Sequence, residues 1–267
     1  MTLFTNPPNS APKVEPQTAT WLNEERYLLL LYADAKRGKT FAYCSIIERC
    51  VADGKHCYVI NTDDGFKSTF RAYFGKHAEE VAKHVTYYRC STTKEGAVAV
   101  REIVAKAQPG DWTAVDLLSS FWNMAQDEFI EGTGMDPIDY IRSASVDPKK
   151  FGLIDGSKWQ VIKRLDNLIL DPLLRRSKSN VVAVCGTKDV EIDKAFDKKK
   201  LGKTTDFDAV ALRPDGQKVL PYRFETIVLI GGFEKKFFRV VGHRGKNVTP
   251  DEHPYDRDFW SELKKYL

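Results

Sequence analysis

No apolar run in the 267 residues approaches the roughly 20 that a membrane-spanning helix needs, and the N-terminus has no apolar segment of the signal-peptide kind. Together these absences lead to the expectation of a cytoplasmic protein without a membrane partner. Cysteine is scarce and odd in number: Cys44, Cys50, Cys57, Cys90 and Cys185. Their separations do not match metal-ligand pairs and the five histidines are scattered, so buried free thiols in a reducing compartment are expected rather than zinc or disulfides. An internal repeat is also lacking. The net charge of +4 is too small to argue for nucleic-acid binding by itself, so the placement of charge matters more than its sum. The length allows one large domain or two small ones, with ample chain to bury a core.

Residues 1–20 hold four prolines and small polar residues without apolar periodicity, which predicts a disordered tail; a single folded domain is then expected over 21–267. The first strong signal is the run Tyr27–Tyr32 followed directly by ADAKRGKT, residues Ala33 to Thr40. This is a phosphate-binding loop with Ala33 where a first glycine is more usual. Its spacing has a physical reason. Consecutive backbone N–H groups from Ala33, Asp34, Ala35, Lys36, Arg37 and Gly38 must wrap a phosphate chain, and Gly38 lets the backbone come close. Lys39 supplies a positive charge, Thr40 a hydroxyl for Mg²⁺, and Phe41 opens a helix whose N-terminal dipole faces the anion. Average composition yields such a pattern by chance in roughly one or two of every hundred chains this long, so the flanks decide. A buried strand precedes it, and Phe41 to Val51 follows at helical spacing, stopping at Asp53-Gly54.

Further on, His56 to Asn61 reads as an apolar strand running into Asp63 and Asp64, and Trp112 to Asp116 as another ending in an acid. Strand ends are where α/β sheets build sites, and Asp116 suits the water shell of Mg²⁺. Between them come helices over Phe66–Phe74, Ala78–His84 and Thr92–Ala107, and a strand over Val85–Cys90. Residues 123–156, rich in glycine, read as a long irregular connection with a short helix near Ile138–Ala144. Ser157 is expected to cap a helix that Pro172 kinks or ends, and Asn180 to Cys185 is a fifth buried strand. The chain is polar and lysine-rich from Gly186 to about Thr205. Ala209–Arg213, Val219–Ile230 and Phe237–Val241 then read as antiparallel strands and hairpins, and Asp258 caps a last helix.

ADAKRGKT, the strand VINTDD, TAVDLLSSFW around Asp116, NVVAVCGTK from Asn180 and GQKVLPYRFETIVLI from Gly216 resemble RecA-type P-loop ATPases, and among them the small ATPases that phages encode beside recombination and replication genes. The likeness covers roughly residues 25–244. It implies an α/β fold with a RecA-like P-loop NTPase core: a mainly parallel sheet flanked by helices, with antiparallel strands in the C-terminal third. ATP and Mg²⁺ are the implied cofactors, single-stranded DNA and further copies of the chain, in a ring or filament, the implied partners, and the host cytoplasm the implied place. By the same resemblance Lys39 binds the β- and γ-phosphates, Thr40 and Asp116 hold Mg²⁺, and Asp63, with Asp64 adjacent, stands where the family has a water-activating acid. That acid is usually Glu; Asp is one methylene shorter and must lie closer or act through a second water. Gly186 replaces a polar sensor, leaving γ-phosphate sensing to Thr187 or Lys188.

Two further roles follow from the resemblance. A basic residue from a neighbouring subunit completes such sites, and the candidates are Lys218 and Arg223. The loop after the fifth strand faces DNA, which points to Lys194, Lys198, Lys199, Lys200 and Lys203, whose charges suit a phosphate backbone with little sequence preference. Two other function classes remain at this stage: an ATP-dependent assembly switch that does not touch nucleic acid, and a small-molecule kinase. The kinase fits poorly, because no arginine-rich lid segment follows the phosphate loop.

Overall fold

The computed structural model describes residues 26–132, 156–190, 207–232 and 234–267. The expected tail over 1–20, the short helix near Ile138–Ala144 and the lysines from Lys194 to Lys203 lie outside the described residues. The chain forms β1 (Leu28–Tyr32), α1 (Lys39–Ala52), β2 (Cys57–Asn61), α2 (Gly65–Phe74), α3 (Ala78–Ala82), β3 (Val85–Arg89), α4 (Thr93–Lys106), β4 (Trp112–Asp116) and α5 (Leu118–Gly132). Then follow α6 (Gly156–Arg175), β5 (Asn180–Cys185), β6 (Thr187–Asp189), α7 (Phe207–Val210), β7 (Leu212–Pro214), β8 (Thr226–Gly231), β9 (Phe237–His243), β10 (His253–Pro254) and α8 (Phe259–Lys264).

Eight strands make one sheet in the order β10-β9-β8-β1-β5-β4-β2-β3. Six of them, from β8 to β3, run parallel, and β9 and β10 add antiparallel strands at the C-terminal edge. The four leucines of β1 explain its central place. Leu29 and Leu31 point into one core, Leu30 and Tyr32 into the other, and all four are fully buried. Burying each leucine contributes about 1.5–3 kcal/mol, so a strand apolar on both faces belongs inside a sheet covered on both sides. α1, α2 and α8 cover one face, and α4, α5 and α6 the other. All five cysteines are buried free thiols, four of them in the strands and helices of these cores.

Several expectations are corrected here. Residues 123–132 continue α5 instead of forming irregular chain, because Leu118, Phe121 and Ala125 bury one helical face against α6 and β5. α6 already includes Ser157 and passes through Pro172 to end at Arg175, where Arg26 donates to the Leu173, Leu174 and Ser179 carbonyls. Lys188 and its neighbours are not loop: β6 pairs antiparallel with β7, Lys188 opposite Arg213. Ala209 belongs to α7 and only Leu212–Pro214 is strand. Val219–Ile230 is broken by Pro221, whose fixed backbone starts a 3-10 turn over Leu220–Arg223. Its second half, β8, lies parallel to β1 and is antiparallel only to β9.

Candidate functional site

The parallel strands β1, β5, β4 and β2 end together along one edge of the sheet, and the predicted chemistry gathers there. The Ala33 N–H extends the β1–β5 ladder by donating to the Cys185 carbonyl at 3.3 Å, while Asp34, Ala35 and Lys36 are exposed and Arg37 turns back with its N–H on the Asp34 carbonyl. Gly38 sits at φ +86°, a left-handed conformation that favours glycine, and its carbonyl accepts the Ala42 N–H at 2.8 Å to start α1. No side chain caps α1 and its first turn holds no acid. The helix therefore presents unfilled N–H groups and the positive end of its dipole to the mouth of the loop, the physical requirement of an anion site.

Lys39, the first residue of α1, folds its ammonium back onto the loop, donating to the Ala33 carbonyl at 2.7 Å and the Asp34 carbonyl at 2.8 Å. Burial lowers its pKa, and the Asp116 charge opposes that shift. Thr40 donates its hydroxyl to Asp116 Oδ2 at 3.0 Å, and Tyr43, one turn on, donates to the same oxygen at 3.0 Å. Asp116 is 2 % exposed; burial, and then the charge of Asp63, push its pKa up to about 6. An acid so desolvated gains from nearby positive charge, which Lys39 partly supplies, while two hydroxyls hold its Oδ2. Phe41 packs edge-on against Tyr73, and the Lys236 ammonium stands 3.3 Å above its ring.

Asp63 and Asp64 are both exposed but differently engaged. Asp63 Oδ1 accepts the Gly65 N–H at 2.8 Å, and its own N–H donates to Asn61 Oδ1 at 3.2 Å. Asp64 turns to the sheet edge and pairs with Arg89 at 3.2 Å. The ends of β2 and β4 are stitched together: the Thr62 N–H donates to the Asp116 carbonyl at 2.8 Å, and the Leu117 N–H to the Thr62 hydroxyl at 3.0 Å. This join brings Asp63 close enough to act on the charges of both Asp116 and Lys39.

Thr187 and Lys188, neighbours in β6, point apart. Thr187 donates its hydroxyl to the Asp34 carboxylate on the phosphate loop, whereas Lys188 pairs with Asp215 at 2.5 Å. Lys218 is exposed. Arg223 is not: its guanidinium donates to Asn167 Oδ1 at 2.8 Å and pairs with Asp171, both on α6 of its own chain. Sequence reasoning missed Tyr43, Asn61, Thr62 and the Asp34–Thr187 contact. Only Tyr43 left a signal, its place three residues after Thr40 on the same helix.

The loop, Lys39, Thr40, Asp116 and Asp63 are thus gathered at one edge of the sheet in a mostly parallel α/β fold. Among solved structures the chain is similar to the RadB recombinase, with 13 % identity, 87 % of this chain and 89 % of that chain covered, and a TM-score of 0.48. No protein-family model and no curated protein matches the sequence.

Proposed function

We propose that the protein is a RecA-type P-loop ATPase that hydrolyses ATP with Mg²⁺ and binds single-stranded DNA as an oligomer, in recombination or replication. The observation that carries this reading is the convergence of Lys39, Thr40, Asp116 and Asp63 on an uncapped helix N-terminus bearing a left-handed glycine. The resemblance of five separate segments to the small phage-encoded members supports the narrower reading, which places the protein in a host cytoplasm.

The residues present fit the nucleotide and the metal. The unfilled N–H groups at the start of α1, from Gly38 to Phe41, would hold the phosphates, and Thr40 and Asp116 the cation. When bound, Mg²⁺ neutralises phosphate oxygens and fixes their orientation. Lys39 leaves the loop carbonyls to offset the charge of the β- and γ-phosphates. Asp63 Oδ1 is engaged by Gly65, so Oδ2 takes the proton of the attacking water as its oxygen bonds to the γ-phosphorus and the bridging bond to the β-phosphate breaks. Thr187, already on Asp34, senses that event and passes it to the β6–β7 hairpin. Between β6 and β7 the sequence contains Lys194, Lys198, Lys199, Lys200 and Lys203, the proposed DNA contact.

An ATPase assay with and without single-stranded DNA tests the reading. Wild type is expected to hydrolyse ATP faster with DNA, and Lys39→Ala to lose turnover while remaining folded by circular dichroism. Turnover indifferent to DNA would leave an ATP-driven assembly switch, and phosphate transfer to a small acceptor a kinase.

A further inference from the structure

One group at the phosphate loop has no partner within the described protein. Tyr255 follows β10; its N–H donates to the Lys236 carbonyl at 3.1 Å, and its ring packs on Phe238 and Phe259, with centroids 6.1 Å and 5.3 Å away. This packing drives the phenol across the C-terminal layer to the start of α1. There a methyl group placed on Gly38 would stand 3.9 Å from Tyr255 Oη. Tyr255 is 6 % exposed, and its hydroxyl is buried with no hydrogen-bond partner among the described residues. The nearby Gly38 carbonyl is already taken by the Ala42 N–H.

A phenol denied both water and a partner is a cost in the ligand-free protein, and a buried donor of this kind calls for a physical reason. Phenylalanine would fill the same aromatic space without that cost. The hydroxyl's position supplies the reason, since it lies beside the glycine that opens an uncapped helix, where oxygen acceptors are expected. Lys236, stitched to Tyr255 through its carbonyl, holds its ammonium over Phe41 and adds positive potential to the same corner.

We propose that Tyr255 is a nucleotide-contacting residue, its hydroxyl donating to a phosphate or ribose oxygen of the ligand seated at Gly38. This assigns the C-terminal segment a direct part in ligand binding and rests on the phosphate-loop reading above. The test is Tyr255→Phe in the full chain, by calorimetric titration with ATP plus Mg²⁺ and, separately, with inorganic tripolyphosphate, together with thermal melting without ligand. The variant is expected to melt at or above the wild-type temperature when ligand-free, yet to bind ATP about five- to tenfold more weakly, the loss of one hydrogen bond to a charged or hydroxyl acceptor. An equal loss for tripolyphosphate assigns the contact to the phosphates; a loss confined to ATP assigns it to the ribose. Unchanged ATP affinity overturns the proposal, whether or not the melting temperature falls. Wild-type protein that binds neither ligand would instead sink the phosphate-loop reading itself, a failure seen before any variant is made.

Discussion

Asp63 and Asp64 are adjacent, yet their partners give them different work. Asp63 is tied to the start of α2 and feels Asp116 and Lys39, whereas Asp64 faces Arg89 at the exposed edge. Asp63→Asn is therefore expected to bind ATP and lower turnover by about 10²–10⁴-fold. Asp64→Asn breaks only a surface ion pair of about 0–1 kcal/mol and should leave turnover near wild type in a steady-state assay. Asp166 on α6 gives a separate test of charge burial. Its Oδ2 accepts from Gln217 at 2.5 Å, its Oδ1 has no partner among the described residues, and burial pushes its pKa up to about 6. Since the folded pKa lies above the unfolded value of 3.8, its contribution is fully present below pH 3.8 and lost as pH rises through 6. Asp166→Asn should then stabilise the protein at pH 7.5 by up to about 3 kcal/mol, with the gain vanishing near pH 4 in denaturant titrations. The loop from Ala33 to Thr40 and the helix it opens were legible in the sequence because the pattern occupies eight consecutive residues between an apolar run and a helical one. Asn61, Thr62 and Tyr43 were not, because their roles arise only where the ends of β2 and β4 meet α1.

Strands were easier to read than their partners. The apolar runs of β1, β2, β4 and β5 stand out because each is buried on both faces. Direction of pairing does not show in such a run, so β8 was read as one arm of hairpins when it also lies parallel to β1. The later part of α5, residues 123–132, was hidden for a different reason: the glycines that mark 123–156 as irregular fall from Gly132 onward, beyond the apolar face formed by Leu118, Phe121 and Ala125. Helix spacing leaves its own mark at Gly96 on α4. A methyl there would lie 2.5 Å from the Phe121 ring on α5 and 2.7 Å from Ile169 on α6, closer than atoms pack. Gly96→Ala gains about 1 kcal/mol of helix propensity but must push two buried side chains aside at about 1–3 kcal/mol. The expected net result is a loss of up to about 2 kcal/mol in urea unfolding, where an exposed helical glycine would have gained.

At the scale of the whole molecule, Lys218 is the basic candidate free to reach a neighbouring copy, since Arg223 is held by Asp171 and Asn167 on its own helix. If the site is completed in this way, ATP turnover per chain should rise with protein concentration and then level off, and Lys218→Ala should lower the plateau at least tenfold. A flat profile down to verified monomer would exclude sharing. The strand order has another consequence, in time rather than in space. β1 ends at Tyr32, but the strands on either side of it, β5 and β8, begin at Asn180 and Thr226. At the usual pace of translation, about 5–20 residues per second, a ribosome needs roughly 7–30 s to travel from Tyr32 to Asn180 and roughly 10–40 s to reach Thr226. Throughout that interval the four leucines and the phosphate loop behind them emerge without their sheet neighbours. The nascent chain must therefore keep these apolar side chains from associating wrongly until synthesis is nearly over, since its central strand cannot be sheathed on both sides before Thr226 has been made.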